Sequence, residues 1–226
     1  LAPLIVGLLT DKLFATVDET GKIMAYGYRY GFLAAAVGMF FGQILFNMLA
    51  HKYLGELGKR PGSLNASTLD EVNPKDLNQP LSKEEKDRIK VIFIFFLFAI
   101  FFWAGFEQAG SSLSLYTDRY INRNFLGYEI PTSWFQSVNP LFIVLLAPLF
   151  SLFWTSKWGK KLTSPVKLGL GMVILGIGFF FMLVAVAERG GDVQDTAIKA
   201  SLIWLVLTYL IHTIGELFLS PVGLSV

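Results

Sequence analysis

Apolar residues in this chain gather into long blocks separated by polar stretches. Six blocks stand out. They run from Leu1 to about Thr16, Tyr30 to Ala50, Ile89 to Tyr116, Phe135 to Thr155, Leu168 to Ala187, and Ala200 to the end. At about 1.5 Å per residue, each complete block is long enough to cross a hydrocarbon core of about 30 Å. The period-two alternation of a barrel strand is absent, and backbone satisfaction in lipid then requires helices. The predicted fold class is all-α integral membrane, with about six transmembrane helices. The chain begins and stops inside apolar blocks and carries no signal peptide, so it is expected to be a fragment whose first and last helices are truncated.

The stretch from His51 to Lys90 breaks this pattern. It contains KRPGS, DEVNPKD and LSKEEKDR, with Pro61, Pro74 and Pro80. Charge and proline with few apolar residues predict a linker. Ser82-Lys83-Glu84-Glu85 resembles a capping box and predicts a short helix there. The expected organisation is two helices in 1–50, a linker over 51–89, and four helices in 90–226.

Composition agrees with the block pattern. The 226 residues are 54% hydrophobic and 16% charged, against about 25% charged in a soluble domain. There is no cysteine, which excludes disulfides, thiolate metal sites and thiol nucleophiles. The net charge of +2 matters less than its placement. Eight lysines and arginines lie in 51–90, and Lys157, Lys160, Lys161 and Lys167 occupy the next loop on that side without an acid. The opposite loops mix Lys22, Arg29, Arg119, Arg123, Arg189 and Lys199 with acids. The positive-inside rule therefore places 51–89 and 156–167 in the cytoplasm. The sequon at Asn65 falls on the wrong side for glycosylation.

Two carboxylates lie inside apolar blocks, where each costs a few kcal/mol unless it faces a cavity or a partner. Glu107 follows the uncharged run Val91 to Phe106. It reads as a proton or substrate site, or as an interfacial residue, since it lies about 25 Å along the helix from Lys90. Gln108, Ser111 and Ser112 favour a polar face. Trp103, one turn earlier, shares the face of Glu107 and reads as a pocket or a packing aromatic. Glu216 sits deep in the last block, in IHTIGELFLSPVG. Ser220 follows one turn on, and Pro221 frees a backbone carbonyl and bends the helix. Carboxylate, hydroxyl and broken helix suit an ammonium group. His212 reads as a buried histidine donating to a neighbour, or as a proton relay; His-x-x-x-Glu alone does not make a metal site. Asn139 before Pro140 reads as a helix cap or a ligand contact, and Pro148 as a further kink. Gly169, Gly171, Gly176 and Gly178 are expected at small-residue packing positions.

These motifs resemble a known family. FFWAGFEQAGSSLSLYTDR is similar to the seventh-helix signature of proton-dependent oligopeptide transporters, within the major facilitator superfamily. GELFLSPVGLS is similar to their tenth-helix signature, and LAPLIVG and NPLFI also match. The resemblance implies helices five to ten of a twelve-helix core. It implies proton-coupled symport of di- and tripeptides by alternating access, with Glu216 holding the peptide amino terminus. Ser220, Asn139 and Trp103 would line the pocket, and Glu107 would take part in proton coupling and an outer gate. Implied partners are small peptides, protons and the lipid bilayer of the cytoplasmic membrane, with no nucleic acid, no metal and no cofactor. Alternatives are a non-peptide solute such as nitrate, or an intramembrane enzyme. The polar 51–88 stretch leaves no room for the extra helix pair of many prokaryotic members.

Overall fold

The computed structural model describes residues 2–19, 23–55, 80, 82–192 and 194–223, and the side chains only as far as residue 219. Most of the expected linker, and with it Asn65, lies outside the described residues. Helix α1 (Ala2–Leu8) continues into a π-helical turn, Leu9–Leu13. A hairpin of β1 (Thr16–Val17) and β2 (Ile23–Ala25) leads to α2 (Tyr28–Leu54). Helix α3 (Lys83–Phe106) passes through a 3-10 turn, Glu107–Gly110, into α4 (Ser112–Tyr120). A second hairpin, β3 (Asn124–Phe125) and β4 (Tyr128–Glu129), and a 3-10 turn, Thr132–Ser137, precede α5 (Val138–Thr155). Helices α6 (Ser164–Glu188) and α7 (Leu202–Gly223) complete the order.

Five helical stretches are long and apolar enough to cross a membrane: Tyr28–Leu54, Lys83–Tyr120, Thr132–Thr155, Ser164–Glu188 and Leu202–Leu219. Each coincides with one of the predicted blocks. The first block forms only the short α1 and its π-helical turn. The capping box at Ser82 is present in full. Ser82 Oγ accepts from the Glu85 amide at 3.2 Å, and Glu85 Oε2 accepts from the Ser82 amide at 2.7 Å. It starts no separate linker helix. The helix it caps runs without interruption from Lys83 into the membrane-length stretch, because no proline or glycine intervenes before Gly105.

Helices α6 and α7 are packed through small residues. The buried positions of α6 are Leu168, Gly171, Leu175, Gly178, Met182 and Ala185, spaced alternately by three and four, which makes one stripe. A Cβ at Gly171 would lie 2.9 Å from the Gly215 carbonyl oxygen, and one at Gly215 would lie 2.9 Å from that of Gly171. The helices therefore cross backbone to backbone. Gly169 and Gly176 do not share this role, since a Cβ at either meets nothing within 4 Å. They lie off the stripe.

At the hairpin end, loops staple the helices together. Arg189 is buried, sits 3.9 Å above the Tyr120 ring, and donates to the carbonyls of Asp192 and Asp195. The Ala200 amide donates to the Tyr120 carbonyl at 2.8 Å, and the Asn122 amide donates to the Ala200 carbonyl at 2.9 Å. Arg123 bridges Asp118 at 3.2 Å and Glu129 at 2.8 Å. The mixed charge expected of these loops is thus internally paired at Arg123. Helix α1 docks against the Thr132–Ser137 turn through Gly7, where a Cβ would collide with Ser133 Oγ.

Candidate functional site

The third block is not one continuous helix. It breaks at Glu107, which ends α3 and opens the 3-10 turn. The local sequence EQAGSS explains the break. Gly110 disfavours helix, and the following serines compete for backbone and side-chain acceptors. Ser111 Oγ and Ser112 Oγ donate to Gln108 Oε1, at 3.4 and 2.7 Å, and Gln108 Nε2 donates to the Ala104 carbonyl at 2.9 Å. The polar face expected around Glu107 is therefore a bonded cap that leaves the Glu107 carboxylate outside it.

Glu107 lines a cavity of about 160 Å³ together with Phe106, Gln136, Asn139, Tyr209 and His212. The end of α3 and the broken turn after it, the turn before α5 and the start of α5, and α7 all contribute. Asn139 is not a helix cap, since no side-chain cap bond is made at the start of α5. Its Nδ2 instead donates across to α7, to Glu216 Oε2 at 2.9 Å and to Thr213 Oγ1 at 3.1 Å. Thr213 is buried and its hydroxyl donates to the Tyr209 carbonyl at 2.7 Å. Among the described residues, Glu216 Oε2 holds this one donor and Oε1 holds none.

Glu107, Asn139 and Glu216 are thus connected, the first two by a shared cavity and the last two by a hydrogen bond. Trp103 is not among the cavity residues. It stands edge-on to Phe102 and Phe106, with ring centroids 5.5 and 5.4 Å away, and its outer side is exposed. It supports Phe106, which does line the cavity. Ser220 lies within α7, but its side chain is outside the described residues. Helix α7 continues through Pro221 to Gly223.

His212 makes no hydrogen bond of good geometry at either ring nitrogen, although the Leu175 carbonyl is close enough to interact with the ring. It packs on Phe179, with ring centroids 4.6 Å apart. Thr213, Tyr209 and Gln136 were not singled out by the sequence. Thr213 carried a usable signal, because it precedes Glu216 by three residues and shares its helical face. Gln136 and Tyr209 carried none, since their role depends on how α5 and α7 cross. Among the described residues, no group of three or more metal-ligating side chains occurs.

Comparison with known proteins gives a consistent picture. A family profile described as the POT family matches residues 63–226. The chain is 32% identical over 268 aligned positions to the uncharacterized transporter YclF of Bacillus subtilis, covering all of this chain and 51% of that protein. It is 41% identical to the peptide transporter YePEPT of Yersinia enterocolitica over 64% of this chain and 28% of that one. It is 35% identical to a di-/tripeptide transporter of Lactococcus lactis over 66% of this chain and 30% of that one. A crystal structure of a mutant peptide transporter POT in complex with alafosfalin superposes with a TM-score of 0.73 at 30% identity, covering 99% of this chain and 50% of that one. The chain spans about half or less of the length of these proteins. The matched proteins are named as transporters. With five membrane-length helices and a family match over most of its length, this multi-pass membrane chain belongs to the POT family.

Proposed function

We propose that the chain forms the substrate-binding and proton-coupling part of a symporter that carries di- and tripeptides with protons across the cytoplasmic membrane. In this reading residues 1–50 end the first helical bundle, 51–89 form a cytoplasmic linker, and 90–226 begin the second bundle. Glu216 holds the peptide ammonium, with Ser220 and Trp103 near the pocket. Glu107 exchanges the proton and contributes to an outer gate.

The observation that carries the reading is the Asn139–Glu216 bond. It orients a carboxylate inside a membrane-length helix and leaves one oxygen open to an ammonium. An isolated carboxylate there is costly and marks a functional site. Protonation of this carboxylate weakens its hold on an ammonium, so a proton that reaches it after the peptide has been carried across releases the peptide on the same side. The names of the Yersinia and Lactococcus relatives support a peptide substrate. An anion such as nitrate would be repelled by Glu216. A membrane potential supplies about 2.3 kcal/mol per charge per 100 mV to bias the cycle.

The test is uptake of a labelled dipeptide into liposomes holding a full-length transporter that carries this sequence. Accumulation driven by an inward proton gradient, and competed by other di- and tripeptides, is expected. A folded protein that accumulates no peptide would overturn the reading.

A further inference from the structure

Residues 1–50 and 90–226 meet at the hairpin end, and two contacts there have no role in that reading. Gly7 of α1 faces the Thr132–Ser137 turn so closely that a Cβ would collide with Ser133 Oγ and lie 2.9 Å from Cδ1 and 3.1 Å from Nε1 of Trp134. Only a glycine allows an approach of that kind. Beside it, Lys12 Nζ stands 4.7 Å from the centre of the Tyr128 ring, and Tyr128 neighbours Trp134, with ring centroids 6.2 Å apart. Gly7 and Lys12 therefore reach the same pair of neighbouring rings.

Each side of this contact is fixed to its own group of helices. On the α1 side, the Gly27 amide donates to the Thr10 carbonyl at 2.9 Å, and a Cβ at Gly31 would lie 2.6 Å from Thr10 Cγ2. These contacts tie the end of α1 to the start of α2. On the other side, Phe135 is buried in the core that Leu113, Met182, Leu205 and Tyr209 build from α4, α6 and α7. The turn runs directly into α5, and its Gln136 lines the Glu107 cavity with Asn139. The turn that receives Gly7 is therefore also a wall of the site.

The contact between the two sides is different in kind. Ser133 Oγ and Trp134 Nε1 are buried, and among the described residues neither has a hydrogen-bond partner. Buried polar atoms are normally bonded. An unbonded one loses its water without a replacement, so parting the two sides lets both atoms hydrate. The packing gained on closing is thus opposed by the hydration regained on opening. Two anchored pieces joined by a close but unbonded seat form an element with two discrete arrangements.

We propose that the seat of Gly7 on Ser133 and Trp134 is a latch that closes the hairpin side of the transporter and parts when the Glu107 cavity opens to that side. The inference rests on the transport reading above and assigns residues that reading does not use. Closed, α1 lies on the turn and Lys12 on Tyr128. Open, α1 leaves with α2, and the turn stays with α5, α6 and α7. Gly7 sets the balance between the two, because a side chain at 7 pushes only against the closed arrangement.

The experiment uses a full-length transporter carrying this sequence, which has no cysteine, with any cysteine elsewhere removed. The pair G7C and S133C is oxidised in liposomes, disulfide formation is followed by mass, and uptake of a labelled dipeptide is measured before oxidation, after it and after reduction. Expected are a disulfide, uptake at the level of protein-free liposomes while it holds, and recovery on reduction, with S133C alone unaffected by oxidation. Undiminished uptake through the disulfide, or no disulfide at all, would overturn the latch. A second measurement needs neither uptake nor that pair. Q136C serves as a reporter in the cavity wall, and a membrane-impermeant maleimide is applied from the hairpin side of sealed vesicles. Q136C carrying G7A should be labelled about tenfold faster than Q136C alone, the scale of an overpacked closed state. Adding S133G removes the hydroxyl that the new Cβ meets and should move the rate back toward that of Q136C alone. Equal rates with and without G7A would overturn the latch. A wild type that takes up no dipeptide would overturn the transport reading, and the labelling then still decides the latch.

Discussion

Replacing Glu216 with glutamine isolates charge from shape. In the structure Glu216 Oε2 accepts from Asn139 Nδ2 at 2.9 Å, and Asn139 also donates to Thr213, which is anchored to the Tyr209 carbonyl. A glutamine amide oxygen accepts the same Asn139 donor, so the scaffold joining α5 to α7 stays intact. What disappears is the negative charge offered to a ligand ammonium. A hydrogen bond to a charged group contributes about 1.5–3 kcal/mol. At about 1.4 kcal/mol per tenfold, E216Q should bind a free-amine dipeptide about 10- to 150-fold more weakly. The assay is calorimetric titration of a full-length transporter with a dipeptide and with its N-acetylated form. Acetylation removes the ammonium, so wild type and E216Q should bind the acetylated peptide within about twofold of each other. The E216A variant strands the Asn139 amide with Thr213 alone, and should be less stable than E216Q by about 1–3 kcal/mol. Wild-type affinity of E216Q for the free-amine dipeptide, in a protein with an unchanged melting temperature, would refute the ammonium role of Glu216.

Other expectations follow from the same geometry. E107Q should impair gradient-driven uptake more than counterflow, read in the same liposome assay; equal loss of both would point to a structural role. G171A should push α7 away from α6, since the new Cβ meets the Gly215 carbonyl at 2.9 Å, and should cost about 1–3 kcal/mol of overpacking. G169A, with open space at its Cβ, is its control, and the two melting temperatures in detergent should differ. R189A should loosen the hairpin end by about 2–4 kcal/mol, from the loss of a desolvated cation–π contact and of the bonds to two carbonyls, visible as faster amide exchange at Ala200. S82A should cost about 1 kcal/mol of capping, seen as faster exchange in the first turn of α3 with little change elsewhere.

The extent of the helices was legible from the residues alone. Apolar runs of membrane length have one way to satisfy their backbone in lipid, so Tyr28–Leu54, Ser164–Glu188 and Leu202–Leu219 follow from local composition. The capping box at Ser82 was also local, because its two bonds lie within four residues. Glu107 and Glu216 stood out because charge in an apolar run is costly wherever the helix packs. The partner of Asn139 was not legible. It lies 77 residues away, and its choice of Glu216 over a cap depends on how α5 and α7 cross. The distinction between Gly171 and Gly169 had the same origin, since both sit in one glycine-rich run and only helix rotation decides which meets α7. The Gly178 notch that holds His212, and the cavity that His212 shares with Glu107, arise where separate elements meet. Local patterns determine which segments are helical and where charge is expensive. Contacts between segments depend on crossing angle and rotation, which are settled by close packing across the whole bundle.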